Sequence, residues 1–183
     1  MQALELLLNR ASQPRLQSPA PEGDELEQML RAGLRAPDHK QLTPWRFIVC
    51  TEDGLNKLGD IFEQAALAKG AEQSVIERAS QLPNRAPMVI VGICKYTEKE
   101  GVPPIEQISS AACALHDIQL AAKAMGFDSI WRTGSYAQDE HVKRAFELQE
   151  DDEIIGFLYV GTSPIKPMEK PKKSMVDYVD FWQ

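Results

Sequence analysis

Between Ile105 and Met125 the sequence puts Ile, Leu or Ala into almost every turn of a prospective helix and around much of its circumference. That pattern suits a helix enclosed by protein better than one lying on a surface. Gly126, able to take positive φ after the last turn, ends it. Phe127 to Thr133 then reads as a strand that delivers Trp131-Arg132-Thr133-Gly134 to its carboxyl end. A helix of this kind is expected to be the spine of the fold and the seam between two copies of the chain.

The remaining elements are arranged to cover that spine. Ala3 to Asn9 reads as a helix, and Ser18-Pro19-Ala20-Pro21 breaks the chain after it. Asp24 is placed to cap a second helix whose Leu26, Met29, Leu30, Gly33 and Leu34 form one stripe, and Pro37 stops it. Trp45 to Thr51 is a strand; Glu52 to Leu82 fits two helices broken near Gly70, the second weakly patterned and read as a flap. Ala86 to Cys94 is nearly continuous apolar sequence, as in a strand covered on both faces. Tyr96 to Pro103 is a charged loop, Asp139 to Phe146 a short helix, and Ile154 to Gly161 another buried strand. Thr162 to Lys173, rich in Pro and Lys, is expected to be extended, and Tyr178, Phe181 and Trp182 beyond it are too apolar to lie in water without a partner. With no internal repeat and no long linker, residues 1–183 form one domain. Its class is α+β or α/β, helices around a covered, mostly antiparallel mixed sheet in three layers.

Twenty Lys and Arg against 27 Asp and Glu leave a net charge of −7. Nucleic-acid coating, which needs basic surface to displace counterions, is therefore excluded as the main task. Cys50, Cys94 and Cys113 are odd in number, far apart and set in apolar sequence. They read as buried free thiols, not a disulfide framework or a zinc site, and no metal site is expected. No apolar run approaches the roughly 20 residues that cross a bilayer, and Met1 to Arg10 lacks the cleavage site of a signal peptide. A cytoplasmic location is the expectation.

Two clusters could carry chemistry. Arg10, Ser12 and Arg15 follow the opening helix closely enough to clamp a phosphate, since arginine offers paired donors and a charge that does not titrate away; from spacing alone they read more readily as a solvated helix end. Arg31, Arg35, His39 and Lys40 crowd a loop between a helix and a strand, a common place for sites, although such residues are most often surface charges.

These segments carry a resemblance. Arg10-Ala11-Ser12 with Arg15, the Ala36-Pro37-Asp38-His39-Lys40 loop running to Pro44-Trp45, Trp131-Arg132-Thr133-Gly134, and Gly156 to Thr162 together resemble the nitroreductase family, and within it the short YdjA-like branch. The likeness runs in order from Ala3 to about Lys166. It implies an intertwined FMN-dependent homodimer with two flavin sites at the subunit interface. Carried over by position, Arg10, Ala11 and Ser12 would hold the FMN phosphate. Arg35 and His39 would approach the flavin, His39 from the second subunit. Trp131, Arg132 and Thr133 would line the ring or ribityl chain, largely through main-chain groups. Lys166 would be a further phosphate contact, and the tail from residue 162 would pack on the partner.

The family pattern also implies NAD(P) contact at Ala121, Ala122, Lys123, Ala124, Met125 and Gly126. A helix carboxyl end presents carbonyls and partial negative charge, the wrong end for a pyrophosphate, so these residues read more readily as a tightly packed helix end. The function implied is NAD(P)H-dependent, ping-pong reduction of nitroaromatic or other electron-poor acceptors, the small-molecule partners of the enzyme. No side chain is needed as acid or base, because the flavin carries the chemistry. The same scaffold also admits an FMN-binding protein without turnover, or a flavin enzyme with a non-nitro substrate.

Overall fold

Four strands, β1 (Trp45–Thr51), β2 (Met88–Cys94), β3 (Asp128–Arg132) and β4 (Glu153–Gly161), form one sheet in the order β1-β2-β4-β3. The computed structural model describes residues 2–165 and 173–183. Every residue of β2 is buried, as its unbroken apolar sequence requires. β2 and β3 both run antiparallel to β4, which lies between them. They therefore point the same way without being neighbours, and the mixed sheet expected from sequence is antiparallel at every described pairing.

Side chains alternate across the sheet with period two. Met88, Ile90, Leu158 and Val160 face α2 (Gly23–Gly33) and α5 (Pro104–Ala124), meeting Met29, Leu115 and Ile118. Val89, Val91, Ile93, Phe157 and Tyr159 face α3 (Asp53–Ala68), α4 (Gln73–Gln81) and α6 (Glu140–Ala145), meeting Leu58, Phe62, Ile76 and Val142. The result is three layers, an α+β architecture as expected. Gly92 is needed where α5 crosses β2: a Cβ there would stand 2.7 Å from Cδ2 of Leu115.

Within one chain the spine helix is covered on one face only. One face of α5, from Gln107 through Ala111, Leu115 and Ile118 to Ala122, is buried, but Ile105 is 65% exposed and Ser109 and Cys113 are exposed too. A single chain covers half the helix. Cys113 is accordingly an exposed thiol, while Cys50 and Cys94 are buried as expected. Asp24 lies inside the first turn of α2 and does not cap it; the cap position is Glu22, which makes no side-chain capping bond. Leu34 falls just past the end of α2 and is 53% exposed, off the buried stripe. α4 is a packed helix and not a flap, with Ile76 and Ala79 buried against α3. α1 (Ala3–Asn9) buries no residue and exposes Leu4, Leu7 and Leu8.

Candidate functional site

β3 is an edge strand, and its outer side is met by the segment that follows α1. The Gln13 N–H donates to the Ser129 carbonyl at 2.9 Å, and Gln17 pairs with Thr162 just past β4. Half-buried Arg10, Ala11 and Ser12 thus lie on the chain immediately before an anchor on β3. At the other end of that strand, Thr133 and Gly134 turn away from the sheet with Gly134 at φ 70°. Their N–H groups find no backbone acceptor among the described residues.

Two cavities meet at this turn. The first, about 610 Å³, is lined by Ile108 and Ala112 of α5, by Trp131, Thr133 and Gly134, and by Glu153 to Ile155 at the start of β4. It is mostly apolar, as ligand pockets are, with a few polar groups at its margin. Trp131 is held in its wall by an Nε1–H bond to the Ile155 carbonyl at 3.2 Å. Two buried carboxylates fix the surrounding backbone. Asp152 accepts from the N–H groups of Tyr96 and Gln149, each at 2.9 Å, and pairs with Lys95, so that β4 begins in one place. Burial opposes its ionisation, but the Lys95 ammonium and the two N–H donors outweigh that and hold the carboxyl below the usual range. Asp139 accepts from the N–H groups of His141 at 2.8 Å and Val142 at 3.2 Å and pairs with Lys69 at 2.5 Å, anchoring the turn that carries Ala137 and Gln138 into the same wall.

The second cavity, about 490 Å³, opens on the opposite face of the sheet, between Arg85, Arg132, Ser135, Tyr136, Phe62 and Tyr159. Tyr136 stacks on Phe62 at 4.4 Å between centroids. The Arg132 guanidinium lies 5.9 Å from the Tyr159 ring centroid. Its Nε is buried with no hydrogen-bond partner. Burial pushes the Tyr159 hydroxyl up, with Arg132 and Arg85 pulling the other way.

The predicted site residues divide into two groups. Arg10, Ala11 and Ser12 directly precede Gln13, which is bonded to β3, the strand that carries Trp131 and Arg132 and leads into Thr133. Arg35 and His39 have no such tie: Arg35 is exposed beyond the end of α2, and His39 Nδ1 lies 2.7 Å from Glu106 Oε2 in the first turn of α5. Arg31, grouped with them in sequence, pairs with Glu27 at 2.6 Å. Ala121 to Gly126 closes α5 beside the start of β3, with Lys123 bound to Asp128 at 2.8 Å. Ala121 is nine residues beyond the cavity-lining Ala112, about 14 Å along the helix. Lys166 lies outside the described residues. Tyr159 lies inside the Gly156 to Thr162 motif without being singled out by it; Arg85, Tyr136 and Glu153 to Ile155 had no motif to mark them, and Arg85, in the Pro-Asn-Arg turn before β2, had only its place at a strand end as a signal.

An antiparallel sheet between two helical layers fits the sheet surrounded by helices that the resemblance of the four motifs implies. The profile of the Nitroreductase family matches residues 7–162, and the chain belongs to that family of oxidoreductases. It is 46% identical over 166 residues, 91% of each chain, to "Putative NAD(P)H nitroreductase YdjA" of Escherichia coli (strain K12). It is 38% identical over 184 residues to a like-named protein of Haemophilus influenzae, covering 99% of this chain and 98% of that one. Among solved structures, the nitroreductase-like family protein of Bacillus cereus superposes with a TM-score of 0.84 at 20% identity, over 99% of this chain and 96% of the other. A single-site mutant of the FMN and NADPH-dependent nitroreductase NfnB, from a sphigopyxis strain, superposes with a TM-score of 0.74 at 15% identity over 99% of both. No described helix is long and apolar enough to cross a membrane.

Proposed function

We propose that the chain is an FMN-dependent NAD(P)H oxidoreductase that works as a homodimer on nitroaromatic or other electron-poor acceptors. The observation that carries this is the Gln13–Ser129 bond, which ties the Arg10-Ala11-Ser12 segment to the strand whose far end opens on the apolar cavity. An elongated ligand with a phosphate at one end and a flat ring at the other fits that layout. The donor set fits as well, since the unused N–H groups of Thr133 and Gly134 border the cavity that would take the ring.

In this reading Arg10 and Ser12 hold the phosphate, with Ala11 contributing backbone, and the main chain of Trp131 to Thr133 flanks the ring. Trp131, Ile108 and Ala112 exclude water from one face. His39 reaches the site of the second subunit. Arg35, with no ion pair among the described residues, would supply positive charge to the bound ring. Bound FMN would supply two-electron hydride chemistry through N5, and a single ring site serving NAD(P)H and the acceptor in turn predicts ping-pong kinetics. The second subunit also covers the apolar surface one chain leaves open: Ile105, Leu4 and Leu8, and at the carboxyl end Phe181 and Trp182, the last 96% exposed.

The test is direct. The purified protein is examined for flavin absorbance, then mixed with NADH or NADPH without oxygen. Bleaching is expected. A colourless protein that also fails to bind added FMN defeats the flavin assignment, and colour that never bleaches defeats the reductase assignment.

A further inference from the structure

We propose that the cavity between Arg85 and Arg132 is a subsite for the carboxylate of an aromatic electron acceptor, an assignment that rests on the flavin reading above. No acidic side chain lines this cavity, and among the described residues neither guanidinium has a hydrogen-bond or ion-pair partner. In a chain of net charge −7, two unmatched cations in one cavity form a local field of opposite sign, which draws anions to that point. The Arg132 Nε–H is buried without an acceptor. A buried donor in that state is costly until an acceptor reaches it, and a carboxylate meets a guanidinium through two parallel bonds.

The walls decide what carries the carboxylate. Phe62 and Tyr136, stacked on each other, with Phe157 and Tyr159 give the cavity aromatic walls. A benzene ring is matched by such walls, whereas the ribose that carries a nucleotide phosphate calls for polar ones. The volume, about 490 Å³, is in the range of small-molecule pockets. Thr133 and Gly134 line this cavity and the first one alike, so an acceptor anchored here has its other end beside the ring site. Arg132 would serve both, its main chain toward the ring and its side chain toward the acceptor.

The holoprotein is assayed with 4-nitrobenzoate and with its methyl ester, at saturating NADH or NADPH, and the ratio of the two kcat/KM values is read. Wild type is expected to favour the carboxylate about tenfold or more, the worth of one charged hydrogen bond. Arg85→Gln, at an exposed position, should bring the ratio close to one, and Arg85→Lys should restore part of it. Calorimetry with benzoate, which cannot be reduced, should show the same loss of affinity in Arg85→Gln. No preference in wild type overturns the proposal. So does an Arg85→Gln protein that loses FMN with its ratio intact, which would give the cavity to the cofactor, or one whose KM rises for NADPH but not NADH, which would give it to a nucleotide phosphate. If the protein binds no flavin at all, the reductase reading fails by its absorbance, and benzoate binding still decides the subsite.

Discussion

The backbone N–H of Gln13 donates to the carbonyl of Ser129 at 2.9 Å, and that bond ties the segment after α1 to a strand more than a hundred residues away in sequence. Gln13 is 5% exposed and Ser129 4%, so the contact is sheltered from water and holds Arg10 and Ser12 close to β3.

Arg10→Ala should weaken FMN binding by roughly 1.5 to 3 kcal/mol, the range for a hydrogen bond to a charged group. Quenching of flavin fluorescence on titration measures it. An unchanged Kd removes Arg10 from the phosphate clamp.

Gly156 sits at φ 150° with Trp131 and the Arg132 carbonyl against the place a Cβ would occupy, the carbonyl oxygen at 2.8 Å. Gly156→Ala should push Trp131 out of the cavity wall and destabilise the fold by about 1 to 3 kcal/mol, as overpacking does. Thermal unfolding and flavin content should both fall; a variant with wild-type Tm and full colour contradicts the packing described.

Leu115 is fully buried in its own subunit against Gly92, so a charge there should unfold the chain. Ala112, half-buried on the open side of α5, is the position that tests the seam. Ala112→Glu should yield a monomer without flavin in sedimentation analysis. Cys113, exposed in the single chain, should react with a thiol reagent faster in that monomer than in the wild-type dimer. Equal rates would place the seam elsewhere.

Cys94 should stay unreactive in every folded variant. Burial first, then the charges of Asp152 and Glu153, push its thiol up to about 11, which leaves little thiolate near neutral pH. Labelling of Cys94 at the rate of Cys113 would show the strand open.

Asp152 gives a pH dependence of known sign. Its folded carboxyl is held below the unfolded value of about 3.9, so it contributes stability that is fully present above that pH and lost as pH falls through the folded value. Asp152→Ala should remove this acid limb and cost about 1 to 3 kcal/mol at neutral pH, because the Tyr96 and Gln149 N–H groups lose their acceptor. Denaturant unfolding at several pH values checks both.

Local rules account for much that was legible. Apolar continuity marked β2 and β4, helical spacing marked α5 to within a residue, and Gly70 marked the break between α3 and α4, because each depends on neighbours in the chain. The order of four short motifs was enough for the family. Less legible were features set by contacts across the fold. Nothing near Cys113 in the sequence tells that its face of α5 lies open in one chain, since the same Ile and Ala residues serve a core or a seam between subunits.

The sequence alone determined the number of layers, the strands that lie inside them and the family to which the chain belongs. Only the tertiary structure decided that β4 lies between β2 and β3, making every described pairing antiparallel, and that the segment after Arg10 to Ser12 is bonded to the strand leading to Trp131 and Thr133 while Arg35 and His39 stand apart. It alone brought Arg85 to Arg132 across a cavity. The physical reason is that period and propensity are properties of a few successive residues, whereas a site is a convergence of side chains from distant segments, and that convergence exists only once the sheet has its order.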